Sequence, residues 1–124
     1  MRDPSDMTPA ELRCLREELR LTVRALSAAI GQTYQTISRW ESGKRAPSRY
    51  SANALVDLAT FTEAAVADMV KTHEPGSTIV TYLDDETFQE HVDIGTFVLP
   101  AAWHRGVAWR AARQIPGATI TYQS

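Results

Sequence analysis

The sequence predicts a mainly α-helical chain. A bundle of short helices comes first, followed by a small α+β part with a two-stranded sheet. Three observations predict this. Apolar residues recur at three- and four-residue spacing through most of residues 8–71. Threonines able to cap helices stand at 8, 22 and 33, each just ahead of such a run. Two segments, 78–83 and 118–122, are instead rich in β-branched and aromatic residues.

Each element has its own local reason. Thr8-Pro9-Ala10-Glu11 opens the first helix, because Thr8 can accept from first-turn amides, Pro9 suits the first helical position and Glu11 can reach back. Leu12, Leu15 and Leu19 give it one apolar stripe, and it is expected to end near Leu19-Arg20. Thr22 caps a second helix with Val23, Leu26, Ala29 and Ile30 at helical spacing, and Gly31 stops it. Thr33 caps a third over residues 34–41, with Ile37 and Trp40 inward. Gly43-Lys44-Arg45-Ala46-Pro47 is a loop by its turn residues. A longer helix starts within residues 48–51 and runs to about Lys71, uninterrupted by Gly or Pro. This divides the chain into an N-terminal domain, 1–71, and a C-terminal part, 72–124.

In the second part, Asp84-Asp85 can cap a short helix over 86–92, residues 93–99 read as a loop or extended piece, and Pro100 opens a helix to about Gln114. The segments 78–82 and 119–122 share a Thr-Ile-(Val)-Thr-Tyr pattern and are candidates to pair. A two-stranded sheet is marginal alone, so helices or a second chain must cover it.

Composition narrows the function. No run approaches eighteen apolar residues, which excludes a membrane-spanning helix. Cys14 is the lone cysteine, which excludes a disulfide scaffold and a cysteine-based zinc knuckle. The first six residues lack the apolar core of a signal peptide, so a cytoplasmic location is expected. Net charge is −2, but it is unevenly spread. Residues 1–50 carry nine Lys/Arg against six Asp/Glu, or +3, and residues 51–124 carry four against nine, or −5. Within 19–50, Arg20, Arg24, Arg39, Lys44, Arg45 and Arg49 stand against Glu41 alone, a basic working surface on a body that is not basic.

Two short capped helices joined by a Gly-containing turn, with a supporting helix before them, form a helix-turn-helix. Ile37 and Trp40 lock the second helix by its inner face, leaving its N-terminal end to project into a groove about 12 Å wide.

The run Ile37-Ser38-Arg39-Trp40-Glu41-Ser42-Gly43-Lys44-Arg45-Ala46-Pro47-Ser48, after Leu21-Thr22, Leu26 and Ile30-Gly31, resembles the DNA-binding domain of lambda-repressor/Cro-like (Xre-type) regulators over residues 8–60. The resemblance implies base contacts from Tyr34, Gln35, Ser38 and Arg39. Gln35 suits adenine and Arg39 guanine. It implies phosphate contacts from Thr22, Thr33, Ser42, Lys44 and Arg45, to which the charge pattern adds Arg20, Arg24 and Arg49. Arg16 and Glu41 resemble the family's ion pair between the first helix and the recognition helix. Two positions depart from it: Val23 stands where the family commonly has Gln, and Arg20 where it prefers Gly.

The second half, with Thr81-Tyr82-Leu83-Asp84-Asp85-Glu86-Thr87-Phe88, Gly95-Thr96-Phe97 and a Trp-containing last helix, is similar to YdiL-like regulators, including anti-CRISPR-associated (Aca-type) autorepressors. That similarity implies homodimerisation through the C-terminal part, repression of the protein's own operon, and a bacterial or phage origin. Tyr82, Phe88, Trp103, Trp109 and Tyr122 are the candidate dimer contacts. Because Trp103 and Trp109 lie six apart on one helix, one is expected in the core and the other at the interface.

His73, His91 and His104 are scattered without ligand spacing, so no metal or cofactor is expected. No constellation meets the requirements of a catalytic site, so the chain is not expected to be an enzyme. The expected partners are double-stranded DNA carrying an inverted repeat and a second copy of the chain. RNA on the same basic face is an additional candidate, and an antitoxin or other protein-interaction role is the alternative.

Overall fold

The structure is a computed structural model and describes residues 6–95 and 97–124. Residues 1–5, read above for a leader, and Thr96 of the Gly95-Thr96-Phe97 segment lie outside the described residues. The described elements are α1 (Pro9–Glu18), α2 (Val23–Ile30), α3 (Tyr34–Ser42), α4 (Arg49–Thr72), β1 (Thr78–Thr81), α5 (Asp85–His91), α6 (Ala101–Ala112) and β2 (Thr119–Tyr122). The chain is mainly helical, with a small two-stranded sheet in its C-terminal part.

Packing divides it into two compact units, residues 1–60 and 61–124. The sequence-based boundary at 71/72 follows the end of α4, whereas packing divides the chain inside that helix.

In the first unit the helix starts follow their caps. Thr8 and Glu11 complete a reciprocal capping box, with Thr8 N–H donating to Glu11 Oε1 at 3.0 Å and Glu11 N–H to Thr8 Oγ1 at 3.1 Å. Thr22 Oγ1 accepts from Ala25 N–H, and Thr33 Oγ1 from Thr36 N–H. Gly31 and Gly43 end α2 and α3 in the left-handed conformation, at φ 70° and 81°. Leu12, Leu19, Leu21, Leu26, Ile37, Trp40, Leu55 and Leu58 form the core.

The second unit is built on the half of α4 from Phe61 onward. β1 and β2 pair in parallel, with Thr78 opposite Thr119 and Thr81 opposite Tyr122. Parallel strands need a long crossover, here carrying α5 and α6. Asp84 caps α5 by accepting from Thr87 N–H at 2.8 Å, and that hydrogen bond holds its carboxyl below the usual range. Asp85 does a different job: its Oδ1 accepts from Ala101 N–H at 2.8 Å and so caps α6 from a distance. Pro100, at the N-cap of α6, makes no side-chain cap of its own.

The core of this unit holds Ile79, Phe88, Trp103, Val107, Ala108 and Ala111. Trp103 Nε1–H donates to the buried Thr62 Oγ1 at 2.9 Å, and its ring stacks on Phe61 with centroids 5.8 Å apart. Arg105 donates to the carbonyls of Tyr82 and Leu83. Arg110 pairs with Glu63 at 2.6 Å, and Arg113 caps the end of α6.

Candidate nucleic-acid interface

The candidate interface is built around α3. Ile37 and Trp40 are 1% and 2% exposed and anchor one side of the helix. Tyr34, Gln35 and Arg39 are exposed, and Ser38 is half-buried beside them. All four expected base-contacting residues therefore lie on α3, with the exposed ones away from its anchored side. For 35 and 39 that spacing follows from the helical period, which rotates them off the inner face shared by 37 and 40, whereas Tyr34 is exposed as the first residue of the helix.

A partly buried ion pair fixes α3 against α1. Arg16 Nε and Nη2 donate to Glu41 Oε2 and Oε1 at 2.7 and 2.9 Å, with side chains only 11% and 12% exposed. The hydrogen bond to Glu41 raises the Arg16 pKa further above its usual value. Arg16 Nη1 also donates to Leu21 O at 2.9 Å, while Leu21 N–H returns to Arg16 O. One guanidinium thus ties together the turn before α2 and the C-terminal half of α3. The pairing expected from resemblance is present.

Arg20 lies in that turn with φ 58°, the non-glycine residue among those described with a left-handed backbone. This conformation costs an ordinary side chain about 1 kcal/mol. It gives the physical reason why glycine suits this place.

The expected phosphate-contacting residues divide by how their polar groups are used. Lys44 and Arg45 are exposed, and their backbone N–H groups both donate to Arg39 O, so the left-handed exit at Gly43 presents both side chains beside the end of α3. Arg20, Arg24 and Arg49 are exposed as well. Thr22 Oγ1 accepts from Ala25 N–H, which leaves its own O–H to donate. Thr33 O–H is directed to Thr36 Oγ1 at 2.9 Å, and Ser42 O–H to Arg39 O at 3.2 Å. A phosphate at the start of α3 would meet backbone N–H there rather than the Thr33 hydroxyl.

Two features escape sequence reasoning. Gln32, in the turn between α2 and α3, donates its Nε2 to the buried Ser51 Oγ at 3.1 Å, and Ser48 Oγ bonds the same hydroxyl. Ser27 Oγ in turn donates to Gln32 O. This network ties the turn to the first turn of α4. Its only sequence signal is a polar residue where the turn must be anchored. The second feature is a contact between helices: the Arg24 guanidinium sits 5.3 Å from the Tyr34 ring centroid.

Of the five residues expected at a dimer interface, Tyr82, Phe88 and Trp103 lie in the core of their own unit. The burial of Phe88 and Trp103 follows from an aromatic cluster that includes Tyr82 and His104. Trp109 and Tyr122 are about half exposed. His104 lines the same cluster, its Nδ1 2.8 Å from Thr81 Oγ1, and burial lowers its pKa to about 4. His73 and His91 rest against backbone carbonyls of Met69 and Thr87. Among the described residues no three His, Cys, Asp or Glu side chains gather as a metal-ligand set, and no helix is long and apolar enough to cross a membrane.

Residues 12–58 match the helix-turn-helix family. The matched segment holds every exposed α3 residue and the Arg16–Glu41 pair. The match supports a DNA-binding regulatory domain over that segment. A search among curated proteins finds no match.

Proposed function

We propose that the chain is a homodimeric transcriptional repressor that inserts α3 into the major groove of an inverted-repeat operator in front of its own operon. One observation carries this reading. The outer side of α3 is exposed at Tyr34, Gln35 and Arg39, while Ile37, Trp40 and the Arg16–Glu41 pair hold its other side rigid. Gln35 and Arg39 read base edges as bidentate partners of adenine and guanine. Arg20, Arg24, Lys44, Arg45 and Arg49 grip phosphates and make binding salt-dependent. Two copies related by a two-fold axis place their α3 helices one helical turn apart, which demands an inverted repeat. The half-exposed Trp109 and Tyr122 support a second copy docking on the C-terminal part. Autorepression in an anti-CRISPR-associated setting is what the resemblance of the second half implies.

The test is footprinting of the purified chain on the DNA upstream of its own gene. Protection of an inverted repeat overlapping a promoter, by two chains per site, is expected. Binding no tighter there than to unrelated duplex would overturn the proposal.

A further inference from the structure

Arg24 lies in the first turn of α2, and Tyr34 is the first residue of α3. Their contact therefore links the start of one helix of the motif to the exposed tip of the other. Both side chains are exposed, Tyr34 by 46%, and neither makes a hydrogen bond or ion pair among the described residues. An exposed arginine has no need to settle on a ring for burial. A guanidinium held within cation–π range of an aromatic ring, here 5.3 Å from its centroid, still carries a fork of N–H donors that matches two phosphate oxygens. It has also lost part of its rotamer freedom before any partner arrives.

The neighbouring groups leave this task to Arg24. Val23 is apolar and half-buried, and Ala25 has no side-chain donor, its backbone N–H being bonded to Thr22 Oγ1. Arg16 is committed to Glu41 and the Leu21 carbonyl. In the first turn of α2 the charge that can reach a phosphate belongs to Arg24.

We propose that Arg24 and Tyr34 act as one unit, in which the Tyr34 ring holds the Arg24 guanidinium in place for a single backbone phosphate. Tyr34 is then a positioning residue for the phosphate grip as well as a groove residue. The proposal rests on the DNA-binding reading and names a partner group within it, the phosphodiester at the start of α2.

The test uses the full chain and a random-sequence duplex of about 20 base pairs, two helical turns, titrated by fluorescence anisotropy over a range of salt. Random sequence removes base readout, so phosphate contacts dominate. Arg24→Ala is expected to lower the salt slope by about one unit. Tyr34→Ala removes no charge, yet it is expected to weaken binding and lower the slope in the same direction. Tyr34→Phe keeps the ring, so it is expected to lose less affinity and less of the slope than Tyr34→Ala. The double variant Arg24→Ala/Tyr34→Ala is expected to bind about two- to fivefold more tightly than the two single losses multiplied together. Arg24→Lys keeps the charge but not the fork, so it is expected to bind more weakly with an unchanged slope.

A Tyr34→Ala slope equal to wild type, single losses that multiply, or an Arg24→Lys variant without loss overturns the coupling. Those results leave the DNA-binding reading standing. A wild-type chain that binds no duplex overturns both.

Discussion

Removing the Glu41 carboxylate is the sharpest perturbation of the first unit. In Glu41→Ala, Arg16 keeps its hydrogen bond to Leu21 O but loses both bonds to the carboxylate, at a site only 11% exposed. Breaking one side of a buried pair costs about 3–5 kcal/mol, because the remaining charge stays desolvated. The retained Leu21 bond and the residual exposure put this case near the lower end, about 3 kcal/mol. For a unit of this size total stability is about 3–9 kcal/mol, so the change is large. Glu41→Gln keeps the shape and one neutral acceptor, so its cost is about 1–2 kcal/mol. Replacing both partners, as Arg16→Met with Glu41→Leu, removes the stranded charge and is expected to cost less than the sum of the single changes. Urea unfolding of the wild type, Glu41→Ala, Glu41→Gln, Arg16→Met, Glu41→Leu and the double variant, followed by far-ultraviolet circular dichroism, measures these values. A Glu41→Ala loss under about 1 kcal/mol, or single losses that simply add, would refute the claim that this pair holds α3 in place.

Other outcomes follow from the same geometry. Arg39→Ala is expected to cost about 1–3 kcal/mol of operator affinity and relax preference at one base pair, whereas Lys44→Ala weakens every sequence alike and flattens the salt slope; competition binding with base-substituted duplexes separates the two. Arg20→Gly relieves the left-handed backbone at φ 58° and is expected to raise unfolding stability by about 0.5–1 kcal/mol while weakening duplex binding. His104 is held neutral in the folded state, with its pKa lowered to about 4 by burial, so the unfolded chain binds the extra proton first. Its contribution is intact above about pH 6.5 and is lost as pH falls from there toward 4, by about 2 kcal/mol once partial ring exposure is allowed for. A His104→Gln variant whose stability falls as steeply over that range as wild type would contradict this.

Much of the first unit is legible in the sequence because its signals are local. Thr8, Thr22 and Thr33 cap helices by bonding amides three residues on, and Gly31 and Gly43 end them by backbone conformation. Such features need no knowledge of what lies across the fold. The inner placement of Ile37 and Trp40 follows from period alone. What local pattern cannot supply is pairing at a distance. Asp85 reads as a first-turn carboxylate of α5, yet it caps α6, sixteen positions away. The two Thr-Ile segments announce strands but carry no sign of direction, and their parallel pairing depends on the crossover. Tyr82, Phe88 and Trp103 have the character of interface anchors and of core residues alike. Only their packing around Thr62, Phe61 and His104 makes them core. The Gln32–Ser51 bond and the Arg24–Tyr34 contact are likewise products of helices brought together, each between residues unremarkable in their own segment.

The parallel pairing of β1 with β2 also sets an order of assembly for the second unit. Thr78 and Thr119 are 41 positions apart, so the ladder closes a long loop that holds both helices. Closing so long a loop loses chain entropy before any cross-strand contact repays it, which slows folding. The helix-turn-helix, made of neighbouring short helices, carries no such delay. It can reach its final shape while Ile79 still waits for Ile120, so the first unit is expected to fold ahead of the second.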